Sequence, residues 1–276
     1  MGGHHALESK GKNEARKTLV RIKIGKGLEG GVGIVRLLYR CLRGGEGRNI
    51  ALLRLSNPPN LFQPHSDTAS NRYPRVFKFV REEVGDGPDR RILSFGCSTG
   101  EEVFSLRTYF PQASITGLDI NPRNIAVCGT RLAASGDPRI SFAVAGSTAA
   151  EAAESYDLIC AMAVFRHGDL GSRPPRCDHL IRFADFERTV TDLARCLRPG
   201  GMLAIRNANF RFSDTGIAAA FEPVLRLRNN QPISRTPLYG PDNCLLDDPV
   251  YPEIVFRKRG QAATIPGMTV PGLASR

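Results

Sequence analysis

A chain of 276 residues with 41% apolar content has room for one packed domain plus extensions. It holds no run of about 18 apolar residues, which excludes a helix across a bilayer. The formal charge of +11 gathers at one end, where the first fifty residues carry eleven Lys or Arg against four Asp or Glu.

Residues 1–32 read as a basic, mobile arm, because Gly25, Gly27, Gly30 and Gly31 interrupt any helix. Its cations, among them Lys10, Arg16, Arg21 and Lys26, can attract nucleic acid, although a solvated arm is the simpler account. The opening residues lack an apolar stretch followed by a small-residue cleavage site. Seven cysteines (41, 97, 128, 160, 177, 196 and 244) show neither CxxC spacing nor a histidine partner. Reduced thiols, no metal and a cytoplasmic location are therefore expected.

Residues 33–72 are expected to form a helical cap and connector. Ile34 to Leu55 mixes Val35, Leu37, Leu38 and Leu42 with arginines, which suits one or two short amphipathic helices, and Pro58, Pro59 and Pro64 mark the connector. The main domain then runs from 73 to 260, with a tail over 261–276. It opens on a helix from Tyr73 to Val84, with Val76, Phe77, Val80 and Val84 at helical spacing behind Pro74.

From Arg91 onward strands and helices alternate, the pattern of a parallel sheet with crossover helices. Strands are expected at Ile92 to Phe95, Ser114 to Asp119, Ile140 to Ala145, Tyr156 to Met162 and Met202 to Arg206. One helix follows Gly100, with Val103, Leu106 and Phe110 on one face. A second starts at an Asn121 cap with Pro122 in its first turn, and buries Ile125, Cys128 and Leu132. A third spans Asp185 to Leu197, where Pro199-Gly200-Gly201 turns the chain into the fifth strand. Phe221 to Leu227 and Tyr251 to Arg257 can pair as a closing element.

Chemistry concentrates at Gly96-Cys97-Ser98-Thr99-Gly100, where an apolar strand gives way to a helix. Backbone can approach a ligand at both glycines, and the helix start adds favourable dipoles. Asp119 ends the adjacent strand, where a carboxylate can accept the hydroxyls of a ribose. The dinucleotide pattern GxGxxG fails, because its third glycine falls at Glu101. Glu101 and Glu102 suit a ligand with a cationic end, or simply a helix start.

Ile92 to Glu102 (ILSFGCSTGEE), Gly117 to Asn121 (GLDIN), Tyr156 to Ile159 (YDLI) and Leu197 to Gly201 (LRPGG) resemble the successive motifs of class I S-adenosylmethionine-dependent methyltransferases. The resemblance implies a doubly wound, mostly parallel, seven-stranded α/β sheet of Rossmann-like type. It also implies S-adenosylmethionine as cofactor, held by Ser94, Gly96, Cys97, Ser98, Gly100, Glu102, Asp119, Ile120, Ser147 and Ala163. The expected reaction is methyl transfer to an oxygen or nitrogen of a small molecule.

GCSTGEE is further similar to the chemotaxis-receptor glutamate methyltransferases, which would make the acceptor a protein carboxylate. Against that, Ala161-Met162-Ala163-Val164 stands where those enzymes carry Cys-Arg-Asn-Val, and no receptor-docking insertion is evident. Ser94 replaces the broader family's acidic residue in the first strand, and Gly146-Ser147 replaces its adenine-side carboxylate.

A sulfonium methyl is already activated, so the protein mainly aligns the acceptor. An acceptor hydroxyl or amine needs a base, for which His167, in the long connection after the fourth strand, is the first candidate and His179 the second. Arg166, Arg173, Arg176 and Arg182 make that connection basic, suited to a carboxylate-bearing acceptor or to plain solvation. Two other readings exist. The loop also spells GxSxG, the nucleophile elbow of serine hydrolases, with Ser98 as nucleophile; or a non-catalytic fold of this type binds RNA or a protein through the arm.

Overall fold

The computed structural model describes residues 45–56, 58–227, 236–247 and 251–260. The expected arm (1–32), the first part of the cap (33–44) and the tail (261–276) lie outside the described residues. Helices α1 (Gly45–Ser56) and α2 (Pro74–Val84) precede β1 (Arg91–Phe95), α3 (Glu101–Tyr109), β2 (Ser114–Asp119), α4 (Pro122–Ser135) and β3 (Ile140–Val144). There follow β4 (Tyr156–Met162), α5 (Phe183–Cys196), β5 (Leu197–Arg206), β6 (Phe221–Arg226) and β7 (Glu253–Lys258). The strands form one seven-stranded sheet in the order β3-β2-β1-β4-β5-β7-β6. Strands β1 to β5 run parallel, and β7 is antiparallel to both β5 and β6. This is the expected doubly wound sheet, and the last two runs pair as anticipated.

The sheet is apolar on both faces, so its inner strands read as near-continuous hydrophobic runs; every residue of β4 is buried. The pleat sorts them. Ile92, Leu158, Cys160, Met202 and Ala204 join Val76, Phe77 and Val80 of α2 and Val103 and Leu106 of α3 in one cluster. Leu93, Ile159, Ala161, Leu203 and Ile205 join Phe186, Val190 and Leu193 of α5 in the other. Period-two alternation thus feeds two layers of helices. On α4 the buried positions are Asn124 and Cys128, whereas Ile125 and Leu132 are half-buried. A polar residue occupies the inner stripe there because its side chain serves Asp119.

Helix α5 ends at Cys196, and β5 starts at Leu197 rather than Met202. Leu197 pairs with Tyr156, and the register then jumps to Leu158 with Met202, so residues 198–201 bulge outward through Gly200 at φ +79°. Asp157 sits beside this bulge at the end of the sheet remote from the glycine loop. Its carboxylate accepts from the Arg91 backbone N–H (2.8 Å), Arg90 (3.1 Å) and Arg198 (2.9 Å to each oxygen). One residue therefore ties the starts of β1, β4 and β5 together. No helix among the described residues is long and apolar enough to cross a membrane.

Gly117 in β2 leaves no room for a side chain, because a Cβ there would stand 2.6 Å from Phe142 and 3.0 Å from the Cys97 Sγ. Gly117→Ala is expected to cost about 1–3 kcal/mol by overpacking. Urea unfolding checks this, and an unchanged midpoint would show that the Phe142 ring simply swings aside.

Candidate active site

Strand order reverses direction between β1 and β4, and a crevice opens over their carboxyl ends, the usual ligand position in such sheets. The crevice is walled by the loop after β1, the end of β2, Ala145 and Gly146, the segment 162–166, and the connector from Asn60 to Tyr73.

The loop after β1 must be glycine at its first position. Gly96 has φ +72°, and a Cβ on it would lie 2.4 Å from Val164 Cγ2. The Gly96 and Cys97 amides both donate to the Leu118 carbonyl (2.7 and 2.9 Å), binding the loop to β2. Ser98, itself at φ +51°, donates its N–H to Asp119 Oδ2 (2.8 Å). Asp119 Oδ1 accepts from the Asn121 N–H (2.8 Å) and from Asn124 Nδ2 (3.1 Å). Burial raises the Asp119 pKa, and these three donors offset part of the rise. Of about four acceptor positions on a carboxylate, one is left.

Glu102, in the first turn of α3, is half-buried and faces the crevice. Ser94, fully buried in β1, donates its hydroxyl to Glu102 Oε1 (2.8 Å). Burial pushes the Glu102 pKa up to about 7, against the Ser94 hydrogen bond and the charge of Arg72. Its neighbour Glu101 is occupied elsewhere, paired with Arg131 at 2.7 Å. Arg72 forms no ion pair among the described residues, touches the Asp67 carbonyl at 3.4 Å, and lies over the Tyr73 ring.

Of the residues anticipated from the sequence, Gly96, Cys97, Ser98, Glu102, Asp119, Ile120 and Ala163 line the crevice. Ser94 lies beneath it, supporting Glu102. Gly100 is the N-cap of α3 at φ +88°, and Ser147 is half-buried outside the lining, where Gly146 faces inward instead. Neither histidine singled out as a base reaches the crevice lining. His167 is buried, its Nδ1 accepts from the Asp169 N–H (3.2 Å), and burial lowers its pKa to about 4. His179 is exposed on the connection beyond it. Of the long connection after β4, Ala163, Val164 and Arg166 line the crevice, whereas Arg173, Arg176 and Arg182 do not.

The larger omission is the connector. Asn60 Nδ2 donates to the Gly146 carbonyl (3.0 Å), Ser66 donates to Asn124 Oδ1 (3.1 Å), and the Asn71 N–H donates to Ser105 (2.8 Å). These bonds bring Phe62, His65, Asp67 and Arg72 to the crevice. A cluster of polar residues without periodicity between Pro64 and Tyr73 was the only signal for it. The Ser98 hydroxyl donates to the Ser66 carbonyl (3.2 Å) and to no histidine, unlike an activated nucleophile.

Residues 93–203 match the family model described as a methyltransferase domain. A ubiquinone biosynthesis O-methyltransferase from Rhizobium rhizogenes is 31% identical over 137 residues, covering 49% of this chain and 48% of that protein. A 23S rRNA uracil C5-methyltransferase from Salmonella arizonae is 31% identical over 129 residues, covering 46% and 32%. The chain thus spans about half the length, or less, of these curated relatives. Among solved structures, a Haemonchus contortus phosphoethanolamine N-methyltransferase in complex with S-adenosyl-L-methionine aligns at 17% identity and TM-score 0.38, over 51% of this chain and 29% of that one.

Proposed function

We propose that the chain is a class I S-adenosylmethionine-dependent methyltransferase, as the match over residues 93–203 supports, and that its crevice binds that cofactor and methylates an oxygen or nitrogen of a small molecule. The presence of both Glu102 and Arg72 in the crevice lining carries the reading. A methionine end presents an ammonium and a carboxylate, and the crevice offers a carboxylate and an unpaired guanidinium whose charge is felt at Glu102. Asp119 has one acceptor position left, enough for one ribose hydroxyl, and a second becomes available if Asn124 is displaced. Gly96 keeps the loop open to the ligand, and Ile120 and Gly146 flank the adenine side.

S-adenosylmethionine supplies a methyl group on a positively charged sulfur, which is left as a neutral thioether after transfer. The protein aligns the acceptor and takes its proton. For that task we assign His65, which lines the crevice, in preference to His167, whose Nδ1 already accepts a bond. The apolar wall of Phe62, Phe95 and Val164 excludes water from the acceptor.

Calorimetry with S-adenosylhomocysteine tests the cofactor reading, and no binding to the wild-type chain would end it. With a methylated acceptor in hand, His65→Gln is expected to lower turnover about a hundredfold at unchanged cofactor affinity. Unaltered turnover would remove His65 from the role.

A further inference from the structure

Arg166 has no task in that scheme. It stands just past the carboxyl end of β4, on the side of the crevice away from Asp119 and β2. Its Nε is buried without a hydrogen-bond partner, and its guanidinium meets no carboxylate among the described residues. Arg206 Nε is likewise buried without a partner, but Arg206 lies over the Tyr73 ring outside the crevice lining, while Arg54 holds Asp169, Arg131 holds Glu101 and Arg198 holds Asp157. The Arg166 Nε itself is closed off, but Arg166 lines the crevice, where an anionic ligand compensates its charge.

The surroundings of Arg166 define what that ligand is. Val164, Leu53 and Phe62 line the same crevice, and Phe62 is held edge-on against Phe165 at 5.1 Å, so the wall is rigid and apolar. Flat aromatic bodies suit such walls. Asp67, Glu102 and Asp119 also line the crevice, which disfavours a doubly charged group there. A planar, singly charged carboxylate matches the guanidinium fork and adds the least repulsion.

We propose that Arg166 holds the carboxylate of the methyl acceptor, a flat, hydroxylated aromatic acid. The inference rests on the reading of the crevice as an S-adenosylmethionine site. In the reaction the acceptor hydroxyl loses its proton to His65 and gains the methyl group, while the carboxylate stays bound and unchanged.

The test uses the full chain saturated with S-adenosylhomocysteine and titrated calorimetrically with 4-hydroxybenzoate, 4-hydroxybenzamide and 4-hydroxyphenyl phosphate. The acid is expected to bind about tenfold tighter than the amide. Arg166→Gln should erase that preference with S-adenosylhomocysteine affinity kept within about twofold, which also shows that the variant is folded. Equal affinity for acid and amide, binding of neither, or a preference that survives in Arg166→Gln overturns the inference and leaves the methyltransferase reading standing. Tighter binding of the phosphate than of the acid overturns the carboxylate assignment. Failure of the wild-type chain to bind S-adenosylhomocysteine overturns the cofactor reading, and this inference with it.

Discussion

Asp119→Ala is expected to weaken S-adenosylhomocysteine binding by about a hundredfold or more. Two losses combine. The ligand forfeits a charged acceptor, and the Ser98 and Asn121 amides, which point at the carboxylate from both sides, are left without one. Each unsatisfied buried donor costs about 1–3 kcal/mol, so the variant also melts earlier. Asp119→Asn is the sharper test. Both oxygens already accept bonds, so the new NH2 group must face a donor whichever way the amide turns. The asparagine variant should therefore bind as poorly as alanine. Retention of wild-type affinity by Asp119→Asn would mean that the carboxylate neither orders the loop nor meets the ligand.

Glu102→Gln should remove a pH dependence that the wild-type chain shows. The carboxyl rises from an ordinary value of 4.5 to about 7 in the folded protein, chiefly through burial. A raised folded pKa means that the folded state holds its proton more tightly than the unfolded state. The resulting stability is fully present below about pH 4.5 and is lost as pH climbs to about 7, by about 3 kcal/mol. Ligand binding has the opposite slope, because an ammonium needs the charged form. Affinity for S-adenosylhomocysteine should weaken about tenfold per pH unit below about 7. In Glu102→Gln both slopes flatten over this window, while the Ser94 hydroxyl keeps an oxygen to donate to. Urea titrations and calorimetry at pH 5, 6 and 8 read the two effects separately. Identical profiles for wild type and variant would show that Glu102 is not the titrating group.

The sheet was legible because its strands are buried on both faces, and long apolar runs such as Tyr156 to Met162 have few other places to go. Caps were legible for a local reason: Asn121 accepts from Arg123 N–H two residues on, a bond that lies wholly within the motif. The site was legible only where it is made of the strand-ending loops. Its other wall is set by contacts between distant segments, such as Asn60 with Gly146 and Ser66 with Asn124. No periodicity announces these. His65 and His167 show the limit most clearly: both stand in polar, proline-bounded stretches, and only the fold turns one toward the crevice and buries the other. Ser94 stands where the resemblance implies an acidic residue, and its contact, a hydroxyl donated to Glu102 from below, required the pleat to be seen in three dimensions.

The connector meets the glycine loop and its neighbours through single hydrogen bonds between neutral groups, at Asn60, Ser66 and Asn71. Each is worth roughly 1 kcal/mol net, whereas the sheet behind is fixed by two apolar layers. Phe62, buried against Phe165, anchors the start of the connector in the apolar layer, so an inexpensive local opening is confined to residues 65–71. That stretch lines the crevice, so its opening widens the mouth without disturbing the two apolar layers behind it.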